Sequence, residues 1–173
     1  MLRIARALQP LVDEVVILAN EPGLDEVLPH ARVVLDPQPH AGVLAALAAG
    51  LGAAQGQVCL AVACDMPFVS RGVFEVLLGL DADVVIPRTE GNLEPMHAVY
   101  RRGPVLEAIQ AALARGEQRM ISYFASVRVR EVAEEEWRRV SPDGRAFFNV
   151  NTPEDLRRAR LLAAQDAAAA PPQ

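Results

Sequence analysis

Several apolar runs in this sequence end on a carboxylate or a carboxamide. Asp65 closes the run Val58-Cys59-Leu60-Ala61-Val62-Ala63-Cys64 and is followed by Met66-Pro67. A run this short, β-branched at Val58 and Val62 and without polar alternation, suits a buried parallel strand covered on both faces. Pro67 cannot donate to a ladder and biases Met66 away from helix, so pairing ends near Asp65. That places a carboxylate at the carboxyl edge of a sheet, where open α/β folds bind ligands, and an ionised group there needs a cation, a donor or water. A divalent metal is one reading. The other is that Asp65 caps the helix starting near Ser70, or closes an Asx turn before Pro67.

The pattern repeats. Asn20 ends the run Glu14-Val15-Val16-Ile17-Leu18-Ala19, and Asp36 ends Arg32-Val33-Val34-Leu35. A turn role for Asn20 stands beside a ligand role. After Asp36 the loop through Pro39, His40, Ala41 and Gly42 feeds an alanine- and leucine-rich helix, and a loop entering a helix amino terminus is suited to phosphate. Near the end, Phe147-Phe148-Asn149-Val150-Asn151-Thr152-Pro153-Glu154-Asp155-Leu156 reads as a short strand passing into a helix. Thr152 is placed to cap it, Pro153 suits the first helical position, and Glu154 and Asp155 put negative charge in the first turn. Two asparagines flank Val150 where one turn asparagine would suffice, so Asn149 and Asn151 are candidate ligand donors. His97, a lone histidine in Met96-His97-Ala98-Val99-Tyr100-Arg101, reads either as a packing residue or as a ligand contact.

The elements that must position these groups alternate between strand and helix. The spacing predicts helices at Leu2 to Leu11, Ala41 to Ala54, Ser70 to Leu80, Val105 to Arg115, a shorter piece at Arg119 to Phe124, and Pro153 to about Asp166. Strands are expected at 14–20, 32–35, 58–65, 83–87, 96–101 and 127–132, with Glu134-Glu135-Glu136 as a solvated face and Trp137 against the body. Right-handed crossovers make a Rossmann-like, doubly wound, mostly parallel sheet the economical α/β topology. Residues 1–166 form one domain, and 167–173 read as a disordered tail.

The 173 residues are 51% hydrophobic and 23% charged, enough for one sizeable core. A formal charge of −5 without a basic cluster argues against nucleic acid as a partner. No stretch has the length and apolarity of a membrane span, and no signal peptide is visible, so the expected location is the cytoplasm. All 17 basic residues are arginine, which rules out lysine chemistry. Cys59 and Cys64, an odd number of residues apart on one strand, point to opposite faces.

Taken together, Val33-Val34-Leu35-Asp36, Pro39-His40-Ala41-Gly42, Ala63-Cys64-Asp65-Met66-Pro67, Glu94-Pro95-Met96-His97-Ala98-Val99-Tyr100 and Phe148-Asn149-Val150-Asn151-Thr152-Pro153-Glu154-Asp155-Leu156 follow one another in a familiar order. The chain resembles the molybdenum cofactor guanylyltransferases of the MobA type. The resemblance implies a nucleotide-diphospho-sugar transferase type of fold. It also implies transfer of GMP from GTP to molybdopterin, with release of pyrophosphate and formation of the guanine dinucleotide cofactor. By the same matching Asp65 is the catalytic, Mg2+-binding aspartate, Asn20 and Asp36 contact the guanine nucleotide with Pro39 and Gly42 beside it, and Asn149 and Asn151 face the pterin. Other cofactor-assembly proteins are implied as possible partners. The other functions considered are a noncatalytic nucleotide- or pterin-binding relative, and a related transferase using CTP or a sugar phosphate.

Departures accompany the matches. The family begins with a strand and a glycine-rich loop followed by a lysine, and this chain starts about where the next helix ends. The family's Gly-Pro-Leu-Ala-Gly reads Gln38-Pro39-His40-Ala41-Gly42. The absent strand is expected inside the sheet, between the strands ending at Asn20 and Asp65. The explanations considered are a misassigned start codon, a fragment, and a degenerate relative, with the first favoured.

Overall fold

A computed structural model describes residues 1–24, 28 and 30–169. In chain order its main elements are α1 (Leu2–Leu8), β1 (Val16–Ala19), β2 (Arg32–Leu35), α2 (Val43–Ala53), β3 (Val58–Val62), α3 (Arg71–Leu78) and β4 (Val84–Thr89). There follow β5 (Asn92–Leu93), β6 (His97–Arg101), α4 (Arg102–Ala114), β7 (Val129–Val132), α5 (Glu134–Trp137) and α6 (Pro153–Ala169). The remaining residues of the expected C-terminal tail, 170–173, lie outside the described residues.

The expected α/β architecture is present, with a mixed rather than mostly parallel sheet. β1 and β2 pair in parallel, with Val16 opposite Arg32 and Ala19 opposite Leu35. β3 pairs antiparallel with β6, β6 antiparallel with β4, and β4 then takes β7 in parallel and β5 in a hairpin. β6 therefore lies between two strands that run the other way. Among the described residues no backbone hydrogen bond joins β1 to β3, so each keeps one unpaired edge.

Helices cover both faces because the strands are apolar on both. Along β4, Val84 and Ile86 face one side and Val85 the other, as strand geometry requires. Val84 and Ile86 meet Leu44, Leu47 and Leu51 of α2, spaced for one helical face, and Val105, Ile109 and Ala112 of α4. Val85 and Val99 meet Val73, Phe74 and Leu77 of α3, with Trp137, Phe147 and Leu8 closing that side. The Trp137 indole N–H donates to Arg88 O at 2.9 Å, so the one buried polar atom of that ring is satisfied. Among the described residues no helix is long and apolar enough to cross a membrane.

Two expected elements are replaced. Residues 119–124 form successive turns with i→i+3 bonds, Ser122 N to Arg119 O and Phe124 N to Ile121 O, and not a helix. The Ser122 hydroxyl also donates to Arg119 O at 2.7 Å, which competes for a carbonyl that a helix would use. The strand expected at Phe147 to Val150 is instead a 3₁₀ turn, Arg145–Phe147, followed by extended chain. Its neighbour, the segment after β3, is itself a turn closed by Met66 N to Ala63 O, so no ladder can propagate.

Candidate functional site

The amino ends of β1, β2 and β3 are tied together, which sends their carboxyl ends to one edge. Glu14, just before β1, accepts from Arg32 at 2.5 Å and from Gln55 N at 2.9 Å, and Arg32 also donates to Ala53 O. These bonds hold the Glu14 carboxyl below its ordinary range, the Arg32 bond first. The opposite edge consequently collects Asn20, Asp36 and Asp65.

On the first part of that edge, Asp36 N donates to Ala19 O at 2.8 Å, drawing the end of β2 beside Asn20. Asp36 Oδ1 accepts from Gln38 N at 2.9 Å, an Asx turn that starts the loop through Pro39. The loop closes with Ala41 N on Gln38 O and leaves through Gly42 at φ 98°, where glycine costs nothing. His40 occupies the left-handed region at φ 68°, an uncommon conformation for a non-glycine residue. Gly42 caps α2 without a side chain, so the first-turn N–H groups of that helix are left for a ligand or water.

The second part is built on Asp65. Its Oδ1 is buried and accepts no hydrogen bond from the described residues. The alternative cap role is excluded, because Ser70 Oγ takes the Val73 N–H and begins α3. Val150 N donates to Asp65 O at 2.9 Å, which brings the segment carrying Asn149 and Asn151 to the aspartate. Asn149 is half-buried, with its amide near Phe147 O at 3.4 Å, and Asn151 is exposed. The following helix start is as the sequence reading expects. Thr152 Oγ1 accepts from Asp155 N at 3.1 Å, and Asp155 Oδ2 accepts from Thr152 N, Thr152 Oγ1 and Asn151 N. Phe148 packs edge-on against Phe68 at 5.9 Å, a second tie between the two segments.

The Val150 bond carries a prediction. Val150→Pro removes its only donor while keeping an apolar residue. The expected result is a fall in kcat of about tenfold or more from a displaced Asp65, with unfolding free energy lowered by about 1 kcal/mol. Steady-state kinetics and thermal melts check the two parts separately.

His97 belongs to the core and not to this edge. It is fully buried, stacked on Phe74 at 4.8 Å and 13° and tilted against Phe147 at 4.5 Å, and no described residue hydrogen-bonds either ring nitrogen. Burial brings its pKa down to about 3, so the ring is neutral at physiological pH. A cavity of about 440 Å³ flanks Phe68 and is lined by Arg3, Arg6, Arg145, Asp143 and Asp166. Its arginines are largely engaged: Arg145 reaches Asp143 and Asp166 at 3.1 Å, and Arg3 reaches Asp166 at 3.3 Å. The sequence reading named Glu94 only within a run, yet the structure brings it to the same edge as Asp65. Its signal was a carboxylate beside a proline just before a strand.

Comparison with known proteins agrees with this geometry. The MobA-like NTP transferase domain matches residues 1–132. The chain is 39% identical over 167 residues to a Pelotomaculum thermopropionicum protein named "probable molybdenum cofactor guanylyltransferase", covering 93% of this chain and 78% of that one. It is 34% identical over 160 residues to the molybdenum cofactor guanylyltransferase of Desulfosudis oleivorans, covering 91% and 78%. Among solved structures, the molybdopterin-guanine dinucleotide biosynthesis protein A of Archaeoglobus fulgidus superposes with a TM-score of 0.76 at 25% identity, over 94% of this chain and 84% of that one. A Thermus thermophilus cytidylyltransferase, at 20% identity and a TM-score of 0.68, shares the fold alone. With a strand end and a distant helix start joined at Asp65 and these relatives matching nearly its whole length, the chain belongs to the MobA-like family of nucleotidyltransferases.

Proposed function

We propose that this protein transfers GMP from GTP to the terminal phosphate of molybdopterin, releasing pyrophosphate. The observation that carries the reading is the Val150 N–H bond to Asp65 O, which unites the Asp-Met-Pro strand end with the Asn-Val-Asn-Thr-Pro helix start at one sheet edge. A phosphate attacking an α-phosphate asks the protein mainly to hold geometry and offset charge. Asn20, Asp36 and the loop through Pro39 to Gly42 take the guanine nucleotide, and Asn149 and Asn151 take the pterin side.

Mg2+ fits the residues present. Asp65 Oδ1 is an orphaned buried oxygen, a hard ligand held without an internal donor. Among the described residues no three potential ligands converge, which suits an ion held by one carboxylate and by substrate phosphates. Asp65 would hold it, and the ion would supply charge neutralisation at the phosphates.

The edges of β1 and β3 that no described residue pairs support a further proposal, that a parallel strand carrying a phosphate-binding loop belongs between them. The reaction is assigned to the cytoplasm, with cofactor-assembly proteins as partners that deliver molybdopterin.

Magnesium-dependent binding of GTP, measured by titration calorimetry with CTP as competitor, tests the reading, followed by pyrophosphate release on adding molybdopterin. GTP is expected to bind more tightly than CTP and to turn over. Tighter CTP binding would overturn the base assignment, and GTP binding without pyrophosphate release would favour a noncatalytic relative.

A further inference from the structure

Among the described residues, two acids are partly withdrawn from solvent yet have a side-chain carboxylate that accepts no hydrogen bond: Asp65 and Glu94. Acids of comparable burial are engaged, Glu14 by Arg32 and Gln55, Asp83 by Arg128, Glu136 by Arg130 and Asp155 by Thr152. Glu94 is also at the same edge as Asp65. Val62 pairs with His97, and Ala63 N donates to Met96 O at 3.0 Å, so the chain leaving β3 runs antiparallel past the chain entering β6. Asp65 is two residues beyond Ala63, and Glu94 is two residues before Met96.

The backbone around Glu94 is pinned. Its N–H donates to Pro87 O at 2.9 Å, its carbonyl accepts from His97 N at 3.0 Å, and the Tyr100 hydroxyl donates to Pro95 O at 2.6 Å. A rigid frame thus presents a carboxylate that none of the described residues satisfies. Burial raises its pKa, and the neighbouring Glu90 charge adds to the effect. An unpaired, half-desolvated carboxylate costs free energy in the free protein, which an incoming donor would recover.

The chemistry narrows the donor. A carboxylate only accepts, and it repels phosphate. No third ligand converges to make a metal cage among the described residues. Of the substrates in the proposed reaction, GTP and molybdopterin each carry one edge made of a ring N–H beside an exocyclic NH2, the 2-amino-4-oxo edge of guanine and of the pterin. We propose that Glu94 is a specificity residue that accepts these two N–H groups, one on each carboxylate oxygen. The inference rests on the transferase reading and goes beyond it by assigning the ring contact.

The test uses the full chain, with wild type, Glu94→Gln and Glu94→Ala each titrated with GTP, ITP and molybdopterin in the presence of magnesium, and each melted. ITP lacks the 2-amino group. If Glu94 reads guanine, wild type binds GTP more tightly than ITP, and Glu94→Ala loses roughly 10- to 100-fold of GTP affinity and most of that discrimination. If it reads the pterin, molybdopterin affinity falls by a similar factor while the GTP to ITP ratio holds. In either case neither variant melts below wild type, because the lost group had no internal partner, whereas a structural carboxylate would lower the melting temperature. Affinities for all three ligands within twofold of wild type in both variants would overturn the proposal and leave the transferase reading intact. Failure of wild type to bind both GTP and molybdopterin would overturn that reading, and this proposal with it.

Discussion

Replacing Asp65 by asparagine is expected to lower the rate of nucleotide transfer by about 10³-fold while leaving the fold intact. The two side chains have nearly the same shape, and the bond from Val150 N goes to the Asp65 backbone carbonyl, so the junction with Asn149 and Asn151 survives the change. What disappears is the negative charge. A metal ion supplies several kcal/mol of charge stabilisation in such reactions, and about 1.4 kcal/mol corresponds to tenfold in rate. The buried Oδ1 has no donor within the described residues, so its charge supports no internal contact, and the melting temperature should stay level or rise slightly. Pyrophosphate release measured across a magnesium titration checks the prediction. A variant that keeps its rate within tenfold would remove Asp65 from the metal-binding role.

The second large effect concerns stability below neutral pH and comes from His97. The ring is fully buried between Phe74 and Phe147, with a folded pKa of about 3 against an ordinary value of 6.5. Because the folded value is depressed, the unfolded chain binds the proton first as pH falls. Stability is therefore unaffected by this group above about pH 6.5 and decreases from there down towards pH 3. The slope is about 1.4 kcal/mol per pH unit at full effect, so roughly 5 kcal/mol is at stake across the window. Urea melts of the wild type between pH 8 and pH 4 should show most of this loss, roughly 3 kcal/mol. His97→Phe keeps a flat ring in the stack and cannot titrate, so its stability should change much less over the same range. Parallel curves for the two proteins would show that another group governs the acid limb.

His97 illustrates what a sequence withholds. A lone histidine in an apolar strand is compatible with packing and with ligand contact, and only the partner side chains decide between them. Here Phe74 comes from α3 and Phe147 from a turn 50 residues further on, so the decision lies in long-range packing. The turns at 119–124 departed from the helical pattern for a local reason, the Ser122 hydroxyl on Arg119 O, which hydrophobic spacing does not register. Glu94 looked like one acid in a polar turn because its partial burial and lack of partners among the described residues exist only once β6 lies beside β3.

The sequence by itself determined the strands and helices whose apolar spacing is unambiguous, β2 at Arg32–Leu35 among them, and the placing of Asp65, Asp36 and Asn20 at strand ends. It also determined the family, through motifs short enough to be read locally. The tertiary structure decided which of those ends meet. Val150 reaches Asp65 across 85 positions, β6 enters antiparallel between β3 and β4, and β1 and β3 keep edges unpaired by any described residue. Periodicity reports which face of an element is apolar. Pairing between distant segments depends on backbone hydrogen bonds that every residue type offers alike, so it leaves little trace in the order of side chains.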